Sequence, residues 1–199
     1  MTSPLRWVIA RFDGFLSWAL RVYSFTDDPR CILRLRTTRA SRALSLPDGM
    51  LAAGEPVLEL HLWNSRIPPM DGSGSGLAWV NQIHHEFIAS LRLAAREMQT
   101  DPRLAGVCAV SATSAFLYVS TNPARVDQWQ RLGFSRRRYH SPLGAFGEFW
   151  ENFYSWGLMW TYNPRSVKNR SLLAARRYEI WISAREFTRR YGSPDRAAV

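Results

Sequence analysis

The residues best suited to chemistry are Glu59 and His61, two positions apart in Val57-Leu58-Glu59-Leu60-His61-Leu62-Trp63. That stretch alternates with the two-residue period of a strand. Val57, Glu59, His61 and Trp63 therefore share one face, and Leu58, Leu60 and Leu62 the other. Two strand rises separate Glu59 from His61, close enough for a carboxylate to orient an imidazole for proton transfer. The plainer reading is a half-exposed polar face under another element, and Glu-x-His alone does not choose between them.

A second candidate lies just downstream. Asp71-Gly72-Ser73-Gly74-Ser75-Gly76 opens into an amphipathic stretch that begins at Leu77. A glycine-rich turn at a helix N-terminus presents backbone N–H groups where the helix dipole is positive. Gly74, Ser75, Gly76 and Leu77 are thus the candidate cradle for a pyrophosphate. The competing reading is a flexible Gly/Ser connector without a ligand.

The elements that must position these residues follow from periodicity. A strand is expected from Pro56 to Trp63 and a long helix from Leu77 to about Gln99, with Val80, His84, Phe87, Leu91, Ala94 and Met98 on its inner stripe. His84 is then expected to face the core. His84-His85-Glu86 lacks the i, i+4 histidine pair of a zinc helix, so no metal is expected. Gly106 to Val110 reads as the next strand, Ala124 to Leu132 as a helix closed by Gly133, and Arg136 to Tyr139 as a further strand. Arg176 to Ile182 is the last strand, and Ser183 with Glu186 forms a capping box for the helix Ala184–Tyr191.

Upstream, Leu5 to Tyr23 has helical apolar spacing. It is expected to dock on the sheet of its own domain, with a membrane-interface role as the alternative. Cys31 to Arg36 reads as a strand, and Leu44 to Leu46 as its hairpin partner. The aromatic residues from Phe146 to Tyr162 follow helical spacing; a core or docking face is expected first, an interfacial membrane segment second and nucleic-acid stacking third. The fold class expected is a single α/β (α+β) domain over residues 1–199, with an ordered core of about 5–191. Its sheet is mixed and mostly antiparallel, with 5–23 and 146–162 covering it.

Composition narrows the partners. The net charge is +10, and Lys168 is the only lysine, so the excess is almost wholly arginine. Arginine suits bidentate contact with phosphate or carboxylate, which leaves nucleic acid, an anionic membrane surface or a phosphorylated small molecule as partner classes. A base-composition bias that writes Arg for Lys explains the same count. No nucleic-acid motif is present, so that class rests on charge alone. Cys31 and Cys108 fall in expected strands, without a CxxC pair. Buried, reduced thiols in a cytoplasmic protein are expected, peripheral at most to the inner face of the membrane. Arg6, Arg11, Asp13 and Arg21 interrupt the N-terminal apolar residues, so no signal peptide or membrane span is expected there.

Three stretches carry a family resemblance: Gly54-Glu55-Pro56-Val57-Leu58-Glu59-Leu60-His61-Leu62-Trp63-Asn64, Arg131-Leu132-Gly133-Phe134, and Tyr178-Glu179-Ile180-Trp181-Ile182-Ser183 with Glu186 and Phe187. Together they resemble the YkoP-like domain, a bacterial domain that stands alone or is attached to polysaccharide deacetylases. The resemblance implies a setting near envelope polysaccharide or lipid metabolism. A second likeness is architectural. Strand, glycine loop, helix, strand, helix, Leu-Gly-Phe and strand is similar to the acyl-CoA half of GNAT N-acyltransferases. In those enzymes the loop Arg/Gln-x-x-Gly-x-Gly/Ala wraps the CoA pyrophosphate; here Gly74 and Gly76 match it and Asp71 stands at its first position. The likeness implies acetyl-CoA or another acyl-CoA held by Gly74 to Leu77. Glu59 or His61 would act as base toward a small-molecule amine acceptor. A non-catalytic accessory protein, docked on anionic lipid or on an envelope enzyme, is the other function expected.

Overall fold

Segments with a two-residue period pair into a sheet, and those with a helical period lie over it. The computed structural model describes residues 4–70, 76–114, 128–167 and 177–193. The strands are β1 (Leu33–Arg39), β2 (Leu44–Leu46), β3 (Gly49–Leu51), β4 (Pro56–Leu62), β5 (Ala109–Ser114), β6 (Ser135–Arg138) and β7 (Tyr178–Ser183). Five of them form one sheet in the order β1-β4-β5-β7-β6, and β2 and β3 form a separate hairpin. Only β4 and β5 are parallel; every other pair in the sheet is antiparallel. The domain is therefore α+β with a mixed, mostly antiparallel sheet, as expected from the sequence.

The helices are α1 (Pro4–Ala19), α2 (Leu77–Thr100), α3 (Gln128–Arg131), α4 (Gly144–Tyr162) and α5 (Ala184–Tyr191). The main core lies between one sheet face and α2 with α5. Leu33, Leu35, Leu58, Leu60, Val110, Ile180 and Ile182 meet Leu91, Ala94, Ala95 and Phe187 there. The small Ala94 and Ala95 leave room for α2 to approach the strands closely. Phe134 and Phe187 are fully buried, ring edge to ring face. Burying each stabilises the fold by roughly 1.5–3 kcal/mol. Gly133, at φ 85°, closes α3, and a Cβ there would lie 2.6 Å from Arg190 Nε. Arg190 Nη1 and the Tyr191 hydroxyl donate to the carbonyls of Arg131 and Leu132, so α5 caps the end of α3. The Ser183 hydroxyl accepts from Glu186 N–H at 3.1 Å, as the capping box predicts. The Glu186 carboxylate turns to Arg189 and Arg190, whose hydrogen bonds hold its pKa down at about 2.

Several expectations are corrected. Leu44–Leu46 pairs with Gly49–Leu51 through the Pro47-Asp48 turn, and β1 takes β4 as its partner instead. A helix to Tyr23 gives way to one ending at Ala19. Arg21 turns the chain at φ 55°, and Tyr23 then bridges to Leu35. His84 is exposed, because the packed stripe of α2 is centred further along, on Ser90, Leu91, Ala94 and Ala95. Leu62 is exposed at the strand end, and Cys108 is exposed just ahead of β5; only Cys31 is buried. Burial and the neighbouring Glu55 raise the Cys108 thiol pKa. Residues 124–127 of the expected helix lie outside the described residues.

Candidate functional site

Strand register decides what stands beside Glu59 and His61. In β1 and β4, Arg34 faces His61 and Arg36 faces Glu59. Glu59 pairs with Ser111 of β5, Ser111 with Trp181 of β7, and Trp181 with Ser135 of β6. One row across the sheet is thus Arg36, Glu59, Ser111, Trp181 and Ser135. A second row holds Arg34 and His61 on one side, and Thr113, Glu179 and Arg137 on the other. Paired residues share a face, so these ten side chains lie on the sheet surface opposite the main core.

The two rows are bounded at both ends. At one end Leu44, Leu46 and Leu51 of the β2–β3 hairpin pack with Val57, Ala109 and Trp181. Arg42 reaches across to Glu179, and Arg137 donates to the carbonyl of Ser45. At the other end α1 supplies Asp13 and Ser17 to Arg34, at 3.7 and 2.9 Å. Arg177, leading into β7, is buried against Glu151, Asn152 and Ser155 of α4. Burial pulls the Arg177 pKa down, and Glu151 opposes that. Tyr154 of α4 donates to Asp13 at 2.6 Å, tying the two helices together over the polar face. Burial and that hydrogen bond both raise the Tyr154 pKa.

Glu59 and His61 are brought together, as the alternation predicts: Nε2 of His61 lies 3.4 Å from Oε2 of Glu59. The geometry closes no hydrogen bond at Nε2, and the contact is an ion pair only when the imidazole carries a proton. Arg36 Nη1 meets the same carboxylate oxygen at 3.3 Å. Burial alone would raise the Glu59 pKa, yet His61 and Arg36 together overcome it and the net shift is downward. Glu59 is therefore a firmly ionised anchor, and a weak base.

Further buried nitrogens lack hydrogen-bond partners on this face. Among the described residues, Arg34 Nε, Arg137 Nε and Trp181 Nε1 join His61 Nε2 in that state. Each such group costs roughly 1–3 kcal/mol relative to a paired one. The sequence points to Glu59 and His61 but not to Ser111, Glu179 or Trp181, which join them only through the β4–β5–β7 register.

The sheet also opens at this point. Parallel pairing of β4 with β5 covers Val57–Leu60 against Ala109–Ala112 and stops there. Beyond it, β4 runs on beside β1 to Leu62, while β5 runs on beside β7 to Ser114. His61 and Thr113 stand on opposite lips of that opening, at the carboxyl ends of two parallel strands, where open sheets containing parallel strands commonly take ligands.

Of the expected pyrophosphate cradle, Gly74 and Ser75 lie outside the described residues. Gly76 is the N-cap of α2 and offers no side chain to its first turn, which contains no acidic residue. Leu77 is exposed. The first turn of this 24-residue helix therefore carries no carboxylate that would compete with an anion for its N–H groups. An open depression of about 200 Å³, lined by residues including Tyr23, Thr37, Pro56 and Arg103, shares no residue with the polar face. No group of three or more His, Cys, Asp or Glu side chains able to hold a metal occurs among the described residues.

Comparison with known proteins is narrow. A family model described as the YkoP domain matches residues 3–191. No curated protein and no solved structure matches the chain.

Proposed function

The chain belongs to the YkoP domain family, and on that premise we propose that it is a GNAT-like, acyl-CoA-dependent N-acyltransferase. Its acceptor is a small-molecule amine, in the setting of envelope polysaccharide or lipid metabolism. The observation that carries this reading is the opening between β4 and β5. It has His61 at one lip with Glu59 just inside it, and the chain leaves that same strand to reach the start of α2.

Acyl-CoA supplies the activated thioester and a leaving thiolate. The amine attacks the thioester carbonyl, a C–N bond forms, the C–S bond breaks, and the amine proton passes to a base. Of the two candidates His61 is better placed to take it. Glu59 is held ionised by Arg36 and His61, and serves to fix the imidazole. Backbone N–H groups at Gly76 and Leu77 would meet the pyrophosphate, with Gly74 and Ser75 completing the cradle.

Calorimetric titration with acetyl-CoA and with free CoA is the first test, and saturable binding of both is expected. His61→Gln should keep that binding while CoA release in the presence of amines falls by about 100-fold, the usual contribution of a general base. No binding at millimolar ligand, or full turnover by His61→Gln, would sink the assignment.

A further inference from the structure

The helices over the polar face carry their polarity inside out. In an ordinary two-layer domain the apolar stripe of a helix faces the sheet. On α1 and α4 polar residues reach inward, beside the buried Leu158 of α4. Asp13 and Ser17 hold Arg34, and Asn152 and Ser155 hold Arg177. Eight aromatic residues face out, while Tyr154, Trp156, Trp160 and Tyr162 of α4 are half-buried. Trp7, Phe12, Phe15 and Trp18 of α1 and Phe146, Phe149, Trp150 and Phe153 of α4 are all exposed, Trp18 at 76% and Phe146 at 68%. On α4 neighbouring rings lie 5.5–6.4 Å apart, from Phe146 through Trp150 and Phe149 to Phe153. Phe12 meets Tyr154 edge-on at 5.8 Å, which links the two helices. Exposed aromatic clusters of this kind on a folded domain mark an interaction site.

We infer that the outer face of α1 and α4 is a docking surface for an anionic membrane, entered to headgroup depth. Charge favours that occupant. The chain carries +10. The carboxylates of Asp13 and Glu151 are drawn inward to Arg34 and Arg177. Arg11 and Arg21 are exposed, the Arg11 guanidinium lies 5.4 Å from the ring centre of Trp7, and Glu148 of α4 is met by His140 at 3.7 Å. What faces outward is therefore aromatic and cationic, the pairing that suits an acidic headgroup layer. Tryptophan also favours that depth, because its ring is apolar and its N–H still reaches water. Among the described residues no helix is long and apolar enough to cross a membrane, so the helices lie in the interface. The surface is separate from the β4–β5 opening, and the inference stands whether or not the chain transfers an acyl group.

Flotation with phosphatidylcholine vesicles, with and without phosphatidylglycerol, tests it on the full chain without CoA. Binding is expected only with phosphatidylglycerol, falling as salt rises, with a blue shift of tryptophan emission. Replacing Trp7, Trp18 and Trp150 together by Ser should weaken it by about tenfold or more, since the indoles supply the buried apolar area. Arg11→Glu with Arg21→Glu should weaken it at low salt and leave the native circular dichroism unchanged. The inference is overturned if the chain ignores phosphatidylglycerol vesicles, or if the tryptophan variant binds them as well as the parent. It is equally overturned if light scattering shows a dimer that the tryptophan substitutions dissociate, which assigns the face to a second copy.

Discussion

The two faces of the central sheet obey opposite rules. Toward α2 and α5, apolar side chains meet apolar side chains, and Leu35, Leu58, Val110, Ile180 and Phe187 are wholly removed from water. Toward α1 and α4, arginine, glutamate, histidine and serine meet aspartate, tyrosine and glutamate through directed contacts. The first face is held by the area it removes from water, which is non-directional and tolerant of small shifts. The second is held by hydrogen bonds and ion pairs whose net value is small when made and whose loss is costly. One face therefore carries the apolar stability of the domain, and the other gathers its polar and charged groups.

The largest effect expected from this contrast is on the apolar face. Phe187→Ala removes a fully buried ring that packs with Phe134 and Tyr191. It should lower unfolding free energy by about 3–5 kcal/mol in denaturant titration. A loss below about 1 kcal/mol would break the assignment of the core to this face.

On the polar face the expected effect is smaller and depends on pH. Glu59→Gln leaves Arg36 and His61 facing a neutral amide and should cost about 1–3 kcal/mol at neutral pH. The Glu59 pKa lies below its usual 4.5 in the folded state, so its stabilising contribution is full above 4.5. It is lost as pH falls through the lower folded value. Parent and variant should therefore converge in stability as the solution is acidified past 4.5. Parallel denaturant curves at each pH check this; a gap that widens in acid would reverse the sign.

Much of the apolar face was legible in the sequence, and little of the polar one. Leu33 and Leu35, the leucines of β4, and Ile180 with Ile182 announce their side by alternation alone, because one buried face repeats every second residue. Glu59 and His61 could be placed together by the same rule. Arg36 could not be placed beside Glu59, since that requires β1 to pair with β4 across the 16 intervening residues, which include a hairpin of their own. The aromatic spacing of α1 and α4 was equally visible, but periodicity states only that one side of a helix is apolar. Which side turns outward depends on what lies beneath, and here the arginines of the sheet surface draw Asp13, Ser17, Asn152 and Ser155 inward.

Trp18 gives the last and smallest prediction, and the one that tests the inside-out arrangement most directly. Its indole is 76% exposed; Phe15 on the same helix is 6.0 Å away, centre to centre. By residue type it is the largest apolar side chain available, and in a core its loss would rival that of Phe187. On this face Trp18→Ser should move the unfolding free energy by no more than about 0.5 kcal/mol, the range of surface substitutions. Chemical denaturation of the pure chain in the absence of lipid is the measurement. A loss of about 2 kcal/mol or more would mean that another surface of the chain covers the indole in solution. The aromatic face would then count as core, and the contrast between the two sides of the sheet would disappear.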